Sequence, residues 1–94
     1  MTERFTWDED KSHWLRRERS VTFVDVVAAI RNRRLAFIDN PNQDEYPEQC
    51  IFIVEINDYG WAVPASKTAD GWFLHTAYPS RAMTRRHFGK DRRR

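Results

Sequence analysis

The fold is decided by the stretch Cys50-Ile51-Phe52-Ile53-Val54-Glu55-Ile56, a β-branched and aromatic run that is typical of a central strand. The chain then turns at Asn57-Asp58-Tyr59-Gly60 and returns as Trp61-Ala62-Val63-Pro64. A second turn at Ala69-Asp70-Gly71 leads into Trp72-Phe73-Leu74-His75-Thr76-Ala77-Tyr78. Because both connections are short, we expect an antiparallel meander.

A first helix is predicted from Trp7 to about Arg19. This segment contains neither Gly nor Pro, and its acids come first and its arginines last. That order complements the partial charges at the two ends of a helix.

A second helix is predicted to begin after Thr22 and to end near Arg33. Apolar residues recur here at the spacing of one helical face, at Phe23, Val26, Val27 and Ile30. Asp25 lies three residues after Thr22, where the two side chains can cap the helix reciprocally. Leu35-Ala36-Phe37-Ile38 then reads as a short strand.

A third helix is expected after Ser80, which can serve as its N-cap, and it should end at Gly89. The order of elements therefore predicts an α+β fold. We expect a small antiparallel four-stranded sheet, two N-terminal helices packed on one face and a short basic C-terminal helix. With the helices on one face, the other face of the sheet would remain free to bind a polymer or a partner chain.

The length of 94 residues predicts one domain spanning 1–94. Residues 39–49 contain Asn-Pro-Asn-Gln and Tyr-Pro but no hydrophobic periodicity, which indicates a long loop. The last residues, 90–94, are expected to form a flexible basic tail.

Several classes of protein are disfavoured by composition. The sequence contains no apolar run of about twenty residues and no basic-then-apolar leader, so we expect a cytoplasmic protein without a membrane partner. The single cysteine, Cys50, cannot form an internal disulfide and opens an apolar strand, where it is typically a small buried residue. The three histidines lie far apart and the three glycines form no phosphate loop, so no metal site and no cofactor is predicted.

Charge is distributed unevenly, although the net charge is only +2. Residues 39–58 carry six acids and no Lys or Arg, whereas residues 81–94 carry seven cations against Asp91. A second basic group lies at Arg31, Arg33 and Arg34. A basic lobe is a candidate for contact with phosphate, and a solubilising tail is the alternative.

Candidate catalytic residues are concentrated where the last strand leads into the last helix, at His75, Thr76, Tyr78 and Arg81. Cleavage of RNA without a metal needs a proton acceptor, a proton donor and cations that stabilise the charged phosphorane. His75 suits the proton transfer and Arg81 suits a bidentate grip on phosphate. Ser80, Arg85 and Arg86 would add substrate contacts.

Strand alternation restricts this site. In a regular strand Phe73, His75 and Ala77 share one face, whereas Thr76 and Tyr78 share the other. His75 and Tyr78 therefore meet one substrate only if the strand bends or bulges. The alternatives are an exposed strand residue for His75 and a capping core aromatic for Tyr78.

The first helix offers a further set of substrate-binding candidates at Lys11, His13 and Arg17. These residues would extend a phosphate-binding surface, and an ordinary solvated helix face is the alternative.

Three segments together resemble the BrnT-type toxins of bacterial toxin-antitoxin pairs. They are Trp7-Asp8-Glu9-Asp10-Lys11, Val21-Thr22-Phe23-Val24-Asp25 and Thr76-Ala77-Tyr78-Pro79-Ser80-Arg81. The loop also matches relatives at Asn40-Pro41-Asn42-Gln43, Tyr46-Pro47 and Gln49. At position 75 this chain has His where close relatives are expected to carry Lys.

The resemblance implies a RelE-like ribonuclease fold and an endoribonuclease that cleaves mRNA without a metal, on the ribosome or free of it, and arrests translation. It also implies a cognate DNA-binding antitoxin that forms a hetero-oligomer with this chain. Position by position it points to Lys11, Thr76 and Ser80-Arg81. Two other functions stay open: a non-catalytic interaction or nucleic-acid-binding module of the same fold, and a family member that has lost its activity.

Overall fold

A computed structural model of the protein describes residues 3–39 and 49–88. In chain order the described elements are β1 (Arg4–Trp7), α1 (Glu9–Arg19), α2 (Phe23–Asn32), β2 (Arg34–Asp39), β3 (Gln49–Ile56), β4 (Tyr59–Lys67), β5 (Gly71–Leu74), β6 (Tyr78–Pro79) and α3 (Arg81–Phe88). Most of the predicted loop and all of the predicted tail lie outside the described residues. None of the three helices is long and apolar enough to cross a membrane.

The predicted α+β class is confirmed, but the prediction of a four-stranded antiparallel sheet is wrong. Six described strands form a mixed sheet in the order β1-β5-β4-β3-β2, with β6 also paired to β4. The run from β3 to β5 is the expected antiparallel meander, and β2 adds a further antiparallel strand beside β3. The additional edge strand, β1, precedes both N-terminal helices and runs parallel to β5. No hairpin turn joins two parallel strands, so the sequence contains no local signal for the pairing of β1 with β5.

The first face of the sheet carries Trp61, Val63 and Ala65 of β4, and α1 and α2 pack against it. Leu15 of α1 and four residues of α2 are buried in the core cluster, namely Phe23, Val26, Ala29 and Ile30. The predicted capping box is confirmed, because Thr22 accepts the Asp25 N–H and Asp25 accepts the Thr22 N–H. The α1 helix begins later than predicted, since Asp8 is its N-cap.

The second face carries Gly60, Ala62, Pro64 and Ser66 of β4, and α3 packs on it. A Cβ atom added to Gly60 would lie only 2.9 Å from the Thr84 nitrogen of α3. The side chain of Thr84 is buried and its Oγ1 accepts the Gly60 N–H at 2.8 Å. The expectation that all helices lie on one face is therefore wrong. A glycine in β4 creates the space that brings α3 to the opposite face.

The strand predicted at Trp61-Ala62-Val63-Pro64 extends to Lys67 as β4, and Pro64 interrupts its pairing with the next strand. Its carbonyl accepts the His75 N–H at 2.9 Å, and proline has no N–H to return. Regular pairing stops after Leu74 opposite Ala65 and resumes at Tyr78 opposite Ala62. Between these two pairs the chain advances four residues, from Leu74 to Tyr78, while β4 advances three, from Ala65 to Ala62. Residues 75–77 therefore contain one residue more than the facing part of β4, which is a β-bulge.

Candidate functional site

The bulge changes which side chains share a face. Across the bulge, Tyr78 lies opposite Ala62, while His75 bonds to Pro64, so both belong to the second face. Ala77 is fully buried in the core on the first face. The expectation that His75 and Ala77 share one face is therefore wrong. The sequence analysis required a bend or a bulge before His75 and Tyr78 could contact one substrate, and residues 75–77 supply this bulge.

The imidazole of His75 is held by a hydroxyl group that the sequence analysis did not single out. Ser66 Oγ lies 2.6 Å from His75 Nε2. The Phe73 ring packs edge-on against the imidazole, with the ring centroids 5.1 Å apart. Although His75 as a residue is exposed, this partial burial lowers the pKa of its imidazole below the ordinary value of 6.5. The ring is therefore neutral at pH 7 and able to accept a proton.

Tyr78 and Thr76 differ in accessibility. Tyr78 is 39% exposed, so it is a surface aromatic and not the capping core aromatic considered as its alternative. Thr76 lies within the bulge and is half-buried.

The start of α3 brings cations next to Tyr78. Ser80 is confirmed as its N-cap, because Ser80 Oγ accepts the Met83 N–H at 3.2 Å. Its N–H also donates to the Gly60 carbonyl, so Ser80 anchors the helix to β4. Arg81 is exposed at the first helical position, and Arg85 and Arg86 are exposed farther along α3.

The α1 candidates are only partly connected to this region. The Lys11 ammonium lies 4.1 Å from the centre of the Trp14 ring, which is also contacted by the Arg19 guanidinium at 4.9 Å. Arg19 in turn donates a 2.6 Å hydrogen bond to the Ala77 carbonyl in the bulge. His13 and Arg17 are exposed, and within residues 3–39 and 49–88 no observed bond joins them to the second face.

Sequence reasoning missed Ser66 and Arg19. Ser66 had a usable signal: counting back from the turn at Ala69-Asp70-Gly71 places it opposite Phe73, and so beside His75 on one face. Arg19 had no comparable signal, because its bond to Ala77 crosses 58 positions of sequence.

A cleft elsewhere in the molecule does not include these residues. It has a volume of about 580 Å³ and lies between α2 and the β3–β4 turn. Its walls carry three carboxylates, from Asp25, Glu55 and Asp58, against the single guanidinium of Arg33. This charge balance disfavours phosphate. The better candidate for binding a nucleic acid is the second face, because α3 on that face carries the exposed Arg81, Arg85 and Arg86.

Comparison of the chain with protein-family models, with curated proteins and with solved structures gave no match. The interpretation of the site therefore depends on its geometry: a neutral imidazole held by Ser66, an exposed phenol on the same face and an arginine at the start of α3.

Proposed function

We propose that this protein is a metal-independent endoribonuclease that acts as the toxin of a toxin-antitoxin pair. The observation that carries the proposal is the bulge at residues 75–77, which brings His75 and Tyr78 to one face, with Arg81 following Tyr78 by three residues at the start of α3. The resemblance of three segments to the BrnT-type toxins supports the same class of activity. A cytoplasmic location and a RelE-like relationship belong to this proposal.

The proposed reaction is attack of a ribose 2′-hydroxyl on the adjacent phosphorus. The reaction uses the tautomer in which the His75 Nε2–H donates to Ser66 Oγ, 2.6 Å away, so that Nδ1 keeps a lone pair and accepts the 2′-hydroxyl proton. The new O2′–P bond forms as the P–O5′ bond breaks, and the departing 5′-oxygen takes a proton from the Tyr78 phenol. The products are a 2′,3′-cyclic phosphate and a 5′-hydroxyl end. The imidazolium of His75 then releases its proton to water and the phenolate of Tyr78 takes a proton from water, so that both groups return to their starting states.

Charge at the phosphorane is stabilised by Arg81 in this reaction. An exposed guanidinium at the first turn of α3 can bond two phosphate oxygens, and the helix N-terminus favours the same negative charge. Arg85 and Arg86 extend the positive surface along α3 toward the neighbouring phosphates. We assign Lys11, His13 and Arg17 no role in the chemical step, and their prediction as substrate-binding residues stays a prediction.

The proposed partner is an antitoxin with an acidic segment that covers Arg81 and the exposed side of α3. Opposite charge would speed the association and would exclude RNA from the same surface. Co-expression of a small neighbouring gene that restores growth would identify this partner.

The test combines a cleavage assay with growth measurements. Purified protein should cut single-stranded RNA in the presence of a chelator, and induced expression should arrest growth. We expect His75→Gln and Arg81→Gln each to lower the cleavage rate by at least tenfold, because each removes a group that acts in the transition state. Arg16→Gln is the matched control, since Arg16 is exposed on α1.

Two results would contradict the proposal. If the protein binds RNA in chelator but never cuts it, the chain is a non-catalytic RNA-binding module or an inactive member of its family. If the His75→Gln and Arg81→Gln double variant cuts as fast as the Arg16→Gln control, the site has been assigned to the wrong residues.

A further inference from the structure

The bulge produces a row of three rings along the second face. Phe73 lies opposite Ser66, His75 bonds opposite Pro64, and Tyr78 lies opposite Ala62. These are successive second-face positions of β4, so the backbone positions that carry the rings are spaced by about 6.6 Å along the strand direction. The two aromatic side chains thus lie on opposite sides of the imidazole, and the Phe73 ring contacts it edge-on with the ring centroids 5.1 Å apart.

This row lies at the edge of the region that α3 covers. Beneath α3 the second-face residues Ile53 and Ala62 are buried, at 1% and 4% exposure. Toward the other end of the sheet Ser66 and Phe73 are only half-buried, and Thr6 is exposed. Neither aromatic residue is enclosed, since Phe73 is half-buried and Tyr78 is 39% exposed.

We infer that Phe73 and Tyr78 form two base-stacking subsites, one on each side of His75, for an unpaired ribonucleotide step whose bases are splayed apart. This inference rests on the proposed function, since it places the scissile phosphate over the imidazole. Aromatic side chains in proteins commonly stack on unpaired bases, and the contact tolerates any base because every base has a flat π-face.

The geometry also defines what the site excludes. The strand positions that carry the two rings are about 13 Å apart, so adjacent bases must separate to reach both. Bases in a duplex stay stacked and paired with each other and cannot do so without melting. The site therefore selects loops, bulges and single strands, and the chemistry at His75 is confined to the step between the two separated bases.

A binding assay tests the subsites independently of cleavage. The probe is a short single-stranded RNA with 2′-O-methyl groups throughout, which cannot be cut by 2′-hydroxyl attack. We expect Phe73→Leu and Tyr78→Leu each to weaken binding by about 5- to 100-fold, the range for loss of one stacked base. Phe73→Tyr and Tyr78→Phe keep the ring and should bind nearly as the parent does.

Phe37→Leu is the matched control, because Phe37 is 44% exposed but packs with Phe52 on the first face. A second control removes the base instead of the ring. Removing one base from the 2′-O-methyl RNA should weaken its binding to the parent protein. In the variant that lacks the ring for that base, the same removal should weaken binding little further.

The outcomes separate the two proposals. If Phe73→Leu and Tyr78→Leu bind as tightly as Phe37→Leu, or if a hairpin stem binds as well as the single strand, the stacking subsites are overturned even if ribose RNA is cut. If binding depends on both rings but ribose RNA is never cut, the subsites are supported and the proposed reaction is overturned.

Discussion

The guanidinium of Arg19 donates a 2.6 Å hydrogen bond to the backbone carbonyl of Ala77. This bond joins the last residue of α1 to the bulge that brings His75 and Tyr78 to one face. A carbonyl displaced from regular pairing needs another donor, and a charged donor gives a stronger bond than a neutral one. Arg19 is therefore a positioning residue for the candidate site.

Replacing Arg19 tests this relationship. Arg19→Met keeps an unbranched apolar stem but removes the donor, so we expect the free energy of unfolding to fall by about 1.5–3 kcal/mol. Urea unfolding measures this change. We also expect the RNA cleavage rate to fall under conditions where the variant is still fully folded, because the bulge loosens. Arg16→Met, an exposed change on the same helix, should alter neither quantity by much; equal effects in the two variants would contradict the anchoring role.

The pH dependence of cleavage should follow His75. Partial burial lowers its pKa below 6.5, so the neutral, proton-accepting form persists to lower pH than in the unfolded chain. We expect the decline of kcat/KM on the acid side of the profile to have its midpoint below 6.5, and an NMR titration of the His75 ring should give the same midpoint. A midpoint above 6.5 would contradict the effect of burial.

The same shift has a consequence for stability. Below 6.5 the unfolded chain takes up a proton at position 75 more readily than the folded protein does. The contribution of this group is therefore present above 6.5 and is lost as the pH falls through the lowered pKa. In His75→Gln, unfolding followed across this range should lose that part of the pH dependence.

Ser66 should affect the rate through the orientation of the imidazole. Ser66→Ala removes the oxygen 2.6 Å from Nε2, so we expect kcat to fall by about tenfold while KM changes little. Ser66→Thr retains the hydroxyl group and should restore most of the rate. If Ser66→Ala reduces stability but leaves kcat and its pH profile unchanged, the hydroxyl has only a structural role.

Thr84 should contribute to stability through its bond to β4. Thr84→Val is nearly isosteric but leaves the buried Gly60 N–H without its acceptor, so we expect the free energy of unfolding to fall by about 1–3 kcal/mol. Thr84→Ser keeps the acceptor and loses only a methyl group. Urea unfolding of the two variants should separate the contribution of the hydrogen bond from that of the methyl group. If the free energy of unfolding falls more in Thr84→Ser than in Thr84→Val, packing of the methyl group matters more than the hydrogen bond.

Local signals in the sequence predicted several elements correctly. The reciprocal caps of Thr22 and Asp25, the β-branched run of β3 and the cap at Ser80 act between residues a few positions apart. Such interactions depend little on the rest of the fold. The class of fold, the meander from β3 to β5 and the basic α3 could therefore be derived before any coordinates.

Long-range contacts determined the rest. Parallel pairing of β1 with β5, the placement of α3 against Gly60 and the bond from Arg19 to Ala77 join segments that are distant in sequence. Each depends on burial and hydrogen bonding that exist only after the sheet has formed. The residues able to transfer a proton could be named from the sequence. The sequence alone does not say whether His75 and Tyr78 face the same side. The missing N–H of Pro64 decides this, and it can do so only where β4 is paired with its neighbouring strand.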